Sequence, residues 1–205
     1  MARRIVYLLL LVLAGLTAAS PEYLSAQRKI DRLRADRVPA GSKVTLTPAE
    51  LNAYVRAQAP TIAREGIRDP RIELGDSRAT AHAYIDFPKL RRSQGQPMGW
   101  FLSRLLSGER PVRVEGRIVS SAGRATVEVD RVEVSGIPLT GSALDYVIDN
   151  YLHSYYPEAK IGKPFDLAHN IDKLEVRPSG VDVLVASSPS KWRKVAQTPK
   201  AAARR

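Results

Sequence analysis

Residues 45–59 read Thr-Leu-Thr-Pro-Ala-Glu-Leu-Asn-Ala-Tyr-Val-Arg-Ala-Gln-Ala, and this stretch carries the signals that start a helix. Thr47 is suited to the N-cap and Pro48 to the first helical position. Glu50 lies three residues after the cap, where its carboxylate can accept a hydrogen bond from the backbone N–H of Thr47. The sequence therefore predicts a helix that begins at Pro48.

One side of this helix is apolar, because Leu51, Tyr54 and Val55 recur at helical spacing. Beyond it, apolar and polar residues alternate over residues 78–87 and again over 112–118, which is the pattern of half-buried strands. The apolar phase shifts by one residue near Asp130 and predicts a β-bulge that bends its strand. We therefore expect a sheet to cover the apolar side of the helix.

Two further segments complete the expected fold. Leu144, Val147 and Ile148 fall at spacings of three and four and indicate a second amphipathic helix, which ends before Pro157. Residues 174–185 are typical of a closing β-hairpin with a Pro-Ser-Gly turn. The predicted fold class is α+β, with a curved antiparallel sheet packed around an amphipathic helix, a second helix and a short apolar insert.

The apolar insert lies between two predicted strands, within residues 89–110. It begins with a polar, turn-rich run and continues as Met-Gly-Trp-Phe-Leu-Ser-Arg-Leu-Leu over residues 98–106. One interpretation is a short helix packed on the core as a lid. The other is an exposed flap that gates a lipid cavity or dips into a membrane. In the second interpretation the lipid contacts are Met98, Trp100, Phe101 and Leu105, and the residues at the headgroup level are Arg91, Arg92 and Arg104.

The two ends of the chain differ from its middle. Two arginines precede an uncharged apolar stretch over residues 5–19, so residues 1–20 fit a signal peptide or a short N-terminal anchor. Residues 21–43 contain a basic cluster and are interpreted as a linker. The domain itself is expected over residues 44–186, and a disordered basic tail over 187–205.

The net charge of +11 is concentrated at the two ends. Arg3 and Arg4 contribute +2 and the tail after Ser190 contributes +6, so residues 21–190 carry only +3. This middle part also lacks a platform of alternating basic and aromatic residues, and we expect no nucleic-acid partner. The chain has no cysteine, which excludes disulfides and thiol chemistry.

No motif in the sequence carries recognisable catalytic chemistry. The three histidines lie at no metal-binding spacing, and neither a nucleophile elbow nor a phosphate-binding glycine loop is present. We expect a protein that is not an enzyme and needs no cofactor.

The order of these elements resembles a known family. Leu-Thr-Pro-Ala-Glu-Leu-Asn-Ala-Tyr (residues 46–54), the apolar insert, Gly-Ile-Pro-Leu (136–139) before a helix, and the final hairpin resemble the small exported or membrane-anchored bacterial domains related to tubular lipid-binding proteins. The resemblance implies a strongly curved sheet wrapped around a helix, with an apolar groove that holds acyl chains. Residues carried over to the concave side and to one end of the groove are Leu51, Tyr54 and Val55, and Leu144, Val147 and Ile148.

Taken together, these patterns predict a non-catalytic lipid-binding or lipid-transfer domain of the bacterial cell envelope. We expect export to the periplasm, or anchoring in the inner membrane by residues 5–19, and partners that include a phospholipid or other acyl-chain lipid and the membrane surface. The alternative is a scaffold module that binds another envelope protein. Ala79, Ala81 and Ala83 on one strand face leave both readings open, because small residues can make room for a ligand or let a helix pack closely.

Overall fold

The computed structural model describes residues 20–63, 66–90, 99–152, 161–167 and 169–187. The first half contains helix α1 (Pro21–Arg34), strand β1 (Lys43–Leu46), helix α2 (Pro48–Ala63), strands β2 (Ile67–Gly75) and β3 (Arg78–Asp86), and the short helices α3 (Phe87–Leu90) and α4 (Trp100–Leu105). The second half contains strands β4 (Glu109–Ser121), β5 (Arg124–Val134) and β6 (Ile137–Pro138), helix α5 (Ser142–Val147) with a π-helical turn (Ile148–Leu152), and strands β7 (Phe165–Asp166), β8 (Ile171–Arg177) and β9 (Gly180–Val185).

The strands form two antiparallel sheets. The larger sheet has the order β2-β3-β4-β5-β6, with β7 also paired to β5, and the smaller sheet has the order β1-β9-β8. The buried Ser120 joins them, because its hydroxyl donates to the Leu174 carbonyl and accepts from the Leu174 N–H, both at 2.7 Å. The larger sheet is curved but not closed, and α2 packs against it. The predicted α+β class, with a curved antiparallel sheet around an amphipathic helix, is confirmed.

The predicted start of α2 is confirmed in atomic detail. The Thr47 N–H donates to Glu50 Oε2 at 2.9 Å, and the Glu50 N–H donates to Thr47 Oγ1 at 3.2 Å. This reciprocal pair satisfies two backbone donors that a helix N-terminus otherwise leaves without partners.

Helix α2 is fixed to the edge strand β2 by the side chain of Asn52. Its amide nitrogen donates to the Ile72 carbonyl at 2.8 Å, and its amide oxygen accepts from the Ile72 N–H at 2.7 Å. The side chain thus takes the place of a neighbouring peptide group on the open edge of the sheet. It ties helix to strand just after the irregular pairing between Arg68 and Arg71.

The predicted bulge near Asp130 is also confirmed. Glu115 pairs with Arg131 and Gly116 pairs with Val129, so Asp130 is the extra residue of β5. The backbone of β5 approaches Gly116 closely, since a Cβ atom there would be 2.9 Å from the carbonyl oxygen of Glu128. A bulge of this kind bends its strand, in keeping with the curvature of the larger sheet.

The interpretation of residues 21–43 as a linker needs correction, because residues 21–34 form the packed helix α1. Ala26 is fully buried, and Leu33 contacts Val183 and Val185 of the smaller sheet. The Lys29 ammonium group lies 2.7 Å from both carboxylate oxygens of Glu50 on α2. The basic residues that suggested a linker share this helix with an apolar side that packs against the domain.

Other predicted boundaries shift by a few residues. Ile137–Pro138, in the Gly-Ile-Pro-Leu segment that precedes the second helix, folds back as β6 and pairs with β5. The predicted second helix begins at Ser142 and is described as far as Leu152, and the predicted closing hairpin is β8–β9. Residues 1–19 and 188–205 lie outside the described residues. None of the helices in the described ranges is both long and apolar enough to cross a bilayer.

Candidate functional site

An apolar groove of about 520 Å³ lies between α2 and the concave face of the larger sheet. One wall is α2, the floor is the inner face of β2 to β5, and α5 with the following π-helical turn forms the end. The groove opens to the surface and is lined by Tyr54, Val55, Gln58, Ala59, Ile67, Pro70, Ile85, Phe87, Leu90, Val112, Val114, Val129, Val132, Val134, Leu144, Val147, Ile148, Tyr151, Leu152 and Ile161.

The chemistry of this lining is uniform. Among the described residues that form it, none carries a formal charge, and the only polar side-chain groups belong to Gln58, Tyr54 and Tyr151. The floor consists mainly of valine and isoleucine, whose branched side chains have few rotamers. The groove is therefore an apolar cavity with a stiff floor.

The groove brings together most of the helical residues proposed from the sequence. Tyr54, Val55, Leu144, Val147 and Ile148 all line it, although they come from two helical segments far apart in the chain. Leu51 is half-buried on α2 but does not line the groove. The small residues of β3, at positions 79, 81 and 83, do not line it either.

The apolar insert divides its residues between the core and the surface. Leu102, Leu105 and Leu106 are buried in one cluster with Phe87 and Leu90, which themselves line the groove. Leu105 is thus a core residue behind the groove rather than part of its lining. Arg91, Arg92 and Met98, which the sequence placed at the same site, lie outside the described residues.

The other side of α4 presents aromatic rings to solvent. Trp100 is 80% exposed and Phe101 is 48% exposed, and their rings meet edge to face with centroids 6.2 Å apart. Arg104 is exposed one helical turn after Trp100, on the same side of the helix. One side of the insert therefore packs on the core, and the other forms an exposed aromatic patch.

A charged cluster behind the groove wall was not expected from the sequence. The Glu50 carboxylate accepts hydrogen bonds from Lys29, from the Ser25 hydroxyl at 2.6 Å and from the Thr47 N–H. Burial acts to raise the pKa of Glu50, but these hydrogen bonds outweigh it and lower the pKa from 4.5 to about 2. The capping-box pattern in the sequence predicted the hydrogen bond from the Thr47 N–H. No pattern in the neighbouring sequence predicts the contacts from Lys29 and Ser25 on α1.

Helix α1 also reaches the groove wall directly. The Tyr23 ring stacks on Tyr54, with centroids 6.2 Å apart and planes inclined by 21°. Tyr54 lines the groove. The position of this wall therefore depends on α1 as well as on the sheet.

Comparisons with protein-family models, with curated proteins and with solved structures found no match for this chain.

The opposite face of the larger sheet has a different chemistry. Arg68 donates to both carboxylate oxygens of Glu109, at 3.1 and 2.7 Å, and this hydrogen bonding lowers the pKa of Glu109. Arg78 and Arg117 both contact Asp130, at 3.1 and 2.7 Å. Positive and negative groups thus alternate and pair across this face.

Within the described residues, no three His, Asp or Glu side chains are grouped to hold a metal ion.

Proposed function

We propose that the groove binds the hydrocarbon chain of a lipid, and that the protein is a non-catalytic lipid-binding or lipid-transfer domain. The observation that supports this most directly is the groove itself, about 520 Å³ of open space lined by uncharged side chains. Pockets that hold drug-sized ligands have volumes of roughly 300–1,000 Å³. A polar substrate would find almost no hydrogen-bonding partner on these walls, whereas an acyl chain needs none.

The driving force is the removal of hydrocarbon from water. Each buried methylene group contributes about 0.8 kcal/mol. Because α2 is tied to β2 through Asn52 and the floor is built of branched side chains, the walls need little ordering when a chain enters. Less of the transfer free energy is then spent on ordering the walls.

We propose that the exposed side of α4 contacts the membrane from which the lipid is taken. Trp100 and Phe101 offer adjacent rings of the kind enriched at the boundary between headgroups and acyl chains. Arg104 has the charge and position to contact lipid phosphates. The proposed setting is the bacterial cell envelope, with residues 5–19 as an export signal or inner-membrane anchor.

Replacing Trp100 and Phe101 together by serine should weaken binding to vesicles that contain anionic phospholipid, by about tenfold or more. Trp100 is mostly exposed and Phe101 about half exposed, so the fold should keep its stability within ~1 kcal/mol. Vesicle co-sedimentation measures the binding, and Phe165→Ser is the matched control because Phe165 is an exposed aromatic residue on β7. Equal vesicle binding by both variants would show that α4 does not contribute to membrane contact.

The direct test of the function is native mass spectrometry of the full chain, produced in a bacterial host and purified without detergent. We expect a bound mass of one lipid, which solvent extraction then identifies as an acyl-chain compound. A chain that carries no lipid and takes none from vesicles would contradict the proposal. In that case the scaffold alternative gains support, and cross-linking in cells should then recover an envelope protein.

A further inference from the structure

We propose that Tyr54 and Gln58 bind the polar group next to the hydrocarbon chain, and that this group is the carbonyl of an acyl ester. This inference rests on the proposed lipid-binding function and names the class of lipid. It depends on the positions of the two side chains, on hydrogen-bonding groups that no described residue uses, and on the lack of charge in the described lining.

The two side chains lie on one wall of the groove. Both belong to α2 and both line the groove. Residues four apart in a helix are neighbours on its surface, with Cβ atoms about 5–6 Å apart. The phenol of Tyr54 and the amide of Gln58 therefore face the same part of the groove, where one ligand group can contact both.

Both polar groups are available to a ligand. Within the described ranges, neither makes a hydrogen bond to another residue. Both residues are half-buried, and their polar atoms are not among the buried side-chain atoms that lack a partner. The third polar side chain of the described lining, Tyr151, is buried with its ring edge to face against Phe87. Tyr54 and Gln58 thus have the accessible hydrogen-bonding capacity of this lining.

Helix α1 restricts the Tyr54 ring. Tyr23 stacks on it, with centroids 6.2 Å apart, and α1 is itself held to α2 by the 2.7 Å contact between Lys29 and Glu50. A hydroxyl on a restricted ring loses little freedom when it binds a ligand. Gln58 has the more flexible side chain, and its amide can adjust to the ligand group that Tyr54 positions.

The chemistry of the pair fits an uncharged carbonyl. The Tyr54 hydroxyl and the Gln58 NH₂ group are both donors, and a carbonyl oxygen has two lone pairs that accept them. Burying a carboxylate or phosphate without a partner charge is costly, and no described lining residue supplies such a charge. An ester carbonyl meets both conditions. It adjoins the acyl chain in neutral glycerides and in phospholipids alike.

Calorimetric titration of the full chain with a matched pair of glycerol lipids tests this directly. A monoacylglycerol and the monoalkylglycerol ether of the same chain length, both kept below their micelle concentrations, differ mainly in the carbonyl group. The ester should bind about tenfold more tightly, which is the effect of one or two hydrogen bonds between neutral groups.

Two further comparisons define the polar group. The fatty acid anion of the same chain should bind at least ~10-fold more weakly than its methyl ester, because the described lining has no charge to compensate the carboxylate. A monoacyl phospholipid carries the same ester as the monoacylglycerol. The tighter binder of these two identifies the source of the ester.

Two double variants make the test specific. Tyr54→Phe with Gln58→Leu removes both hydrogen-bonding groups and keeps side chains of similar size. Ester and ether should then bind equally, and the affinity for the ether should stay within about twofold of its original value. Tyr84→Phe with Gln27→Leu removes the same groups at positions that do not line the groove, so the tenfold preference for the ester should remain.

The outcomes distinguish the ester inference from the proposed function. Equal affinity of the unaltered protein for ester and ether, or an ester preference retained by the Tyr54→Phe, Gln58→Leu variant, would overturn the inference while lipid binding stands. Tighter binding of the fatty acid anion than of its methyl ester would overturn it as well. Absence of binding by all of these lipids would instead overturn the proposed function.

Discussion

Replacing Glu50 with glutamine is expected to lower the free energy of unfolding at pH 7 by about 3 kcal/mol. The Glu50 side chain is only 8% exposed, and its carboxylate is the shared acceptor for Lys29, Ser25 and the N-terminus of α2. Glutamine keeps the size but removes the charge, so the partly buried ammonium group loses its counterion. The expected measurement is chemical denaturation followed by far-ultraviolet circular dichroism.

The same carboxylate should make stability depend on pH in the acid range. The pKa of Glu50 is about 2 in the folded protein, below the ordinary 4.5, so its contribution is fully present above pH 4.5. It is lost as the pH falls from 4.5 through about 2, because protonation then removes the hydrogen-bonded charge. In the glutamine variant this part of the acid dependence should be absent.

A matched control distinguishes the effect of the Glu50 cluster on stability from that of an ordinary surface carboxylate. Glu128 is about half exposed and lies 3.7 Å from Arg117, so Glu128→Gln should change stability by less than ~0.5 kcal/mol. Similar denaturation midpoints for the two variants would show that the Glu50 cluster does not stabilise the contact between α1 and α2.

The elements that the sequence predicted well are those whose causes are local. The capping box of Thr47 and Glu50 lies within four residues, and it forms as expected. The bulge at Asp130 follows from a shift of the apolar phase within one strand. In both cases the chemistry that determines the geometry is contained in a short window of sequence.

Helix α1 was missed because its stabilising partners are distant. Ser20 and Pro21 repeat the cap and first-position signal of α2, and the Ser20 hydroxyl accepts from the Tyr23 N–H at 3.2 Å. The basic residues around them obscured this signal. What holds the helix in place is the burial of Ala26 and the ion pair of Lys29 with Glu50, and neither can be read without the fold.

The groove could be predicted only in part, for a similar reason. The helical spacing of apolar residues predicted that Tyr54 and Val55 face inward. It predicted the same for Leu144, Val147 and Ile148 of the second helix. Whether inward-facing residues close into a core or leave a groove depends on the distance between α2 and the sheet. That distance is set by the curvature of β4 and β5, by Asn52 and by α1.

In the insert, the run of large apolar residues cannot show which side of the short helix faces solvent.

Filling the groove is expected to have the largest effect on lipid binding. Val114 and Val129 line the floor on β4 and β5, and replacing both by phenylalanine places aromatic rings in the space proposed for the chain. If about four methylene groups lose their place, the cost is about 3 kcal/mol, which is an affinity loss of about 200-fold. The fold should tolerate the change, because aromatic residues suit strands and the added rings enter open space.

The control for this variant is the same substitution on the same strand but outside the groove. Val119 lies on β4 and is 56% exposed, so Val119→Phe adds a similar ring without entering the cavity. Native mass spectrometry should find lipid on the control and none on the groove-filled variant, while denaturation gives stabilities within ~1 kcal/mol of each other. Lipid retained by a stable groove-filled variant would mean that the binding site lies elsewhere. The groove between α2 and the sheet would then be a packing gap rather than a site.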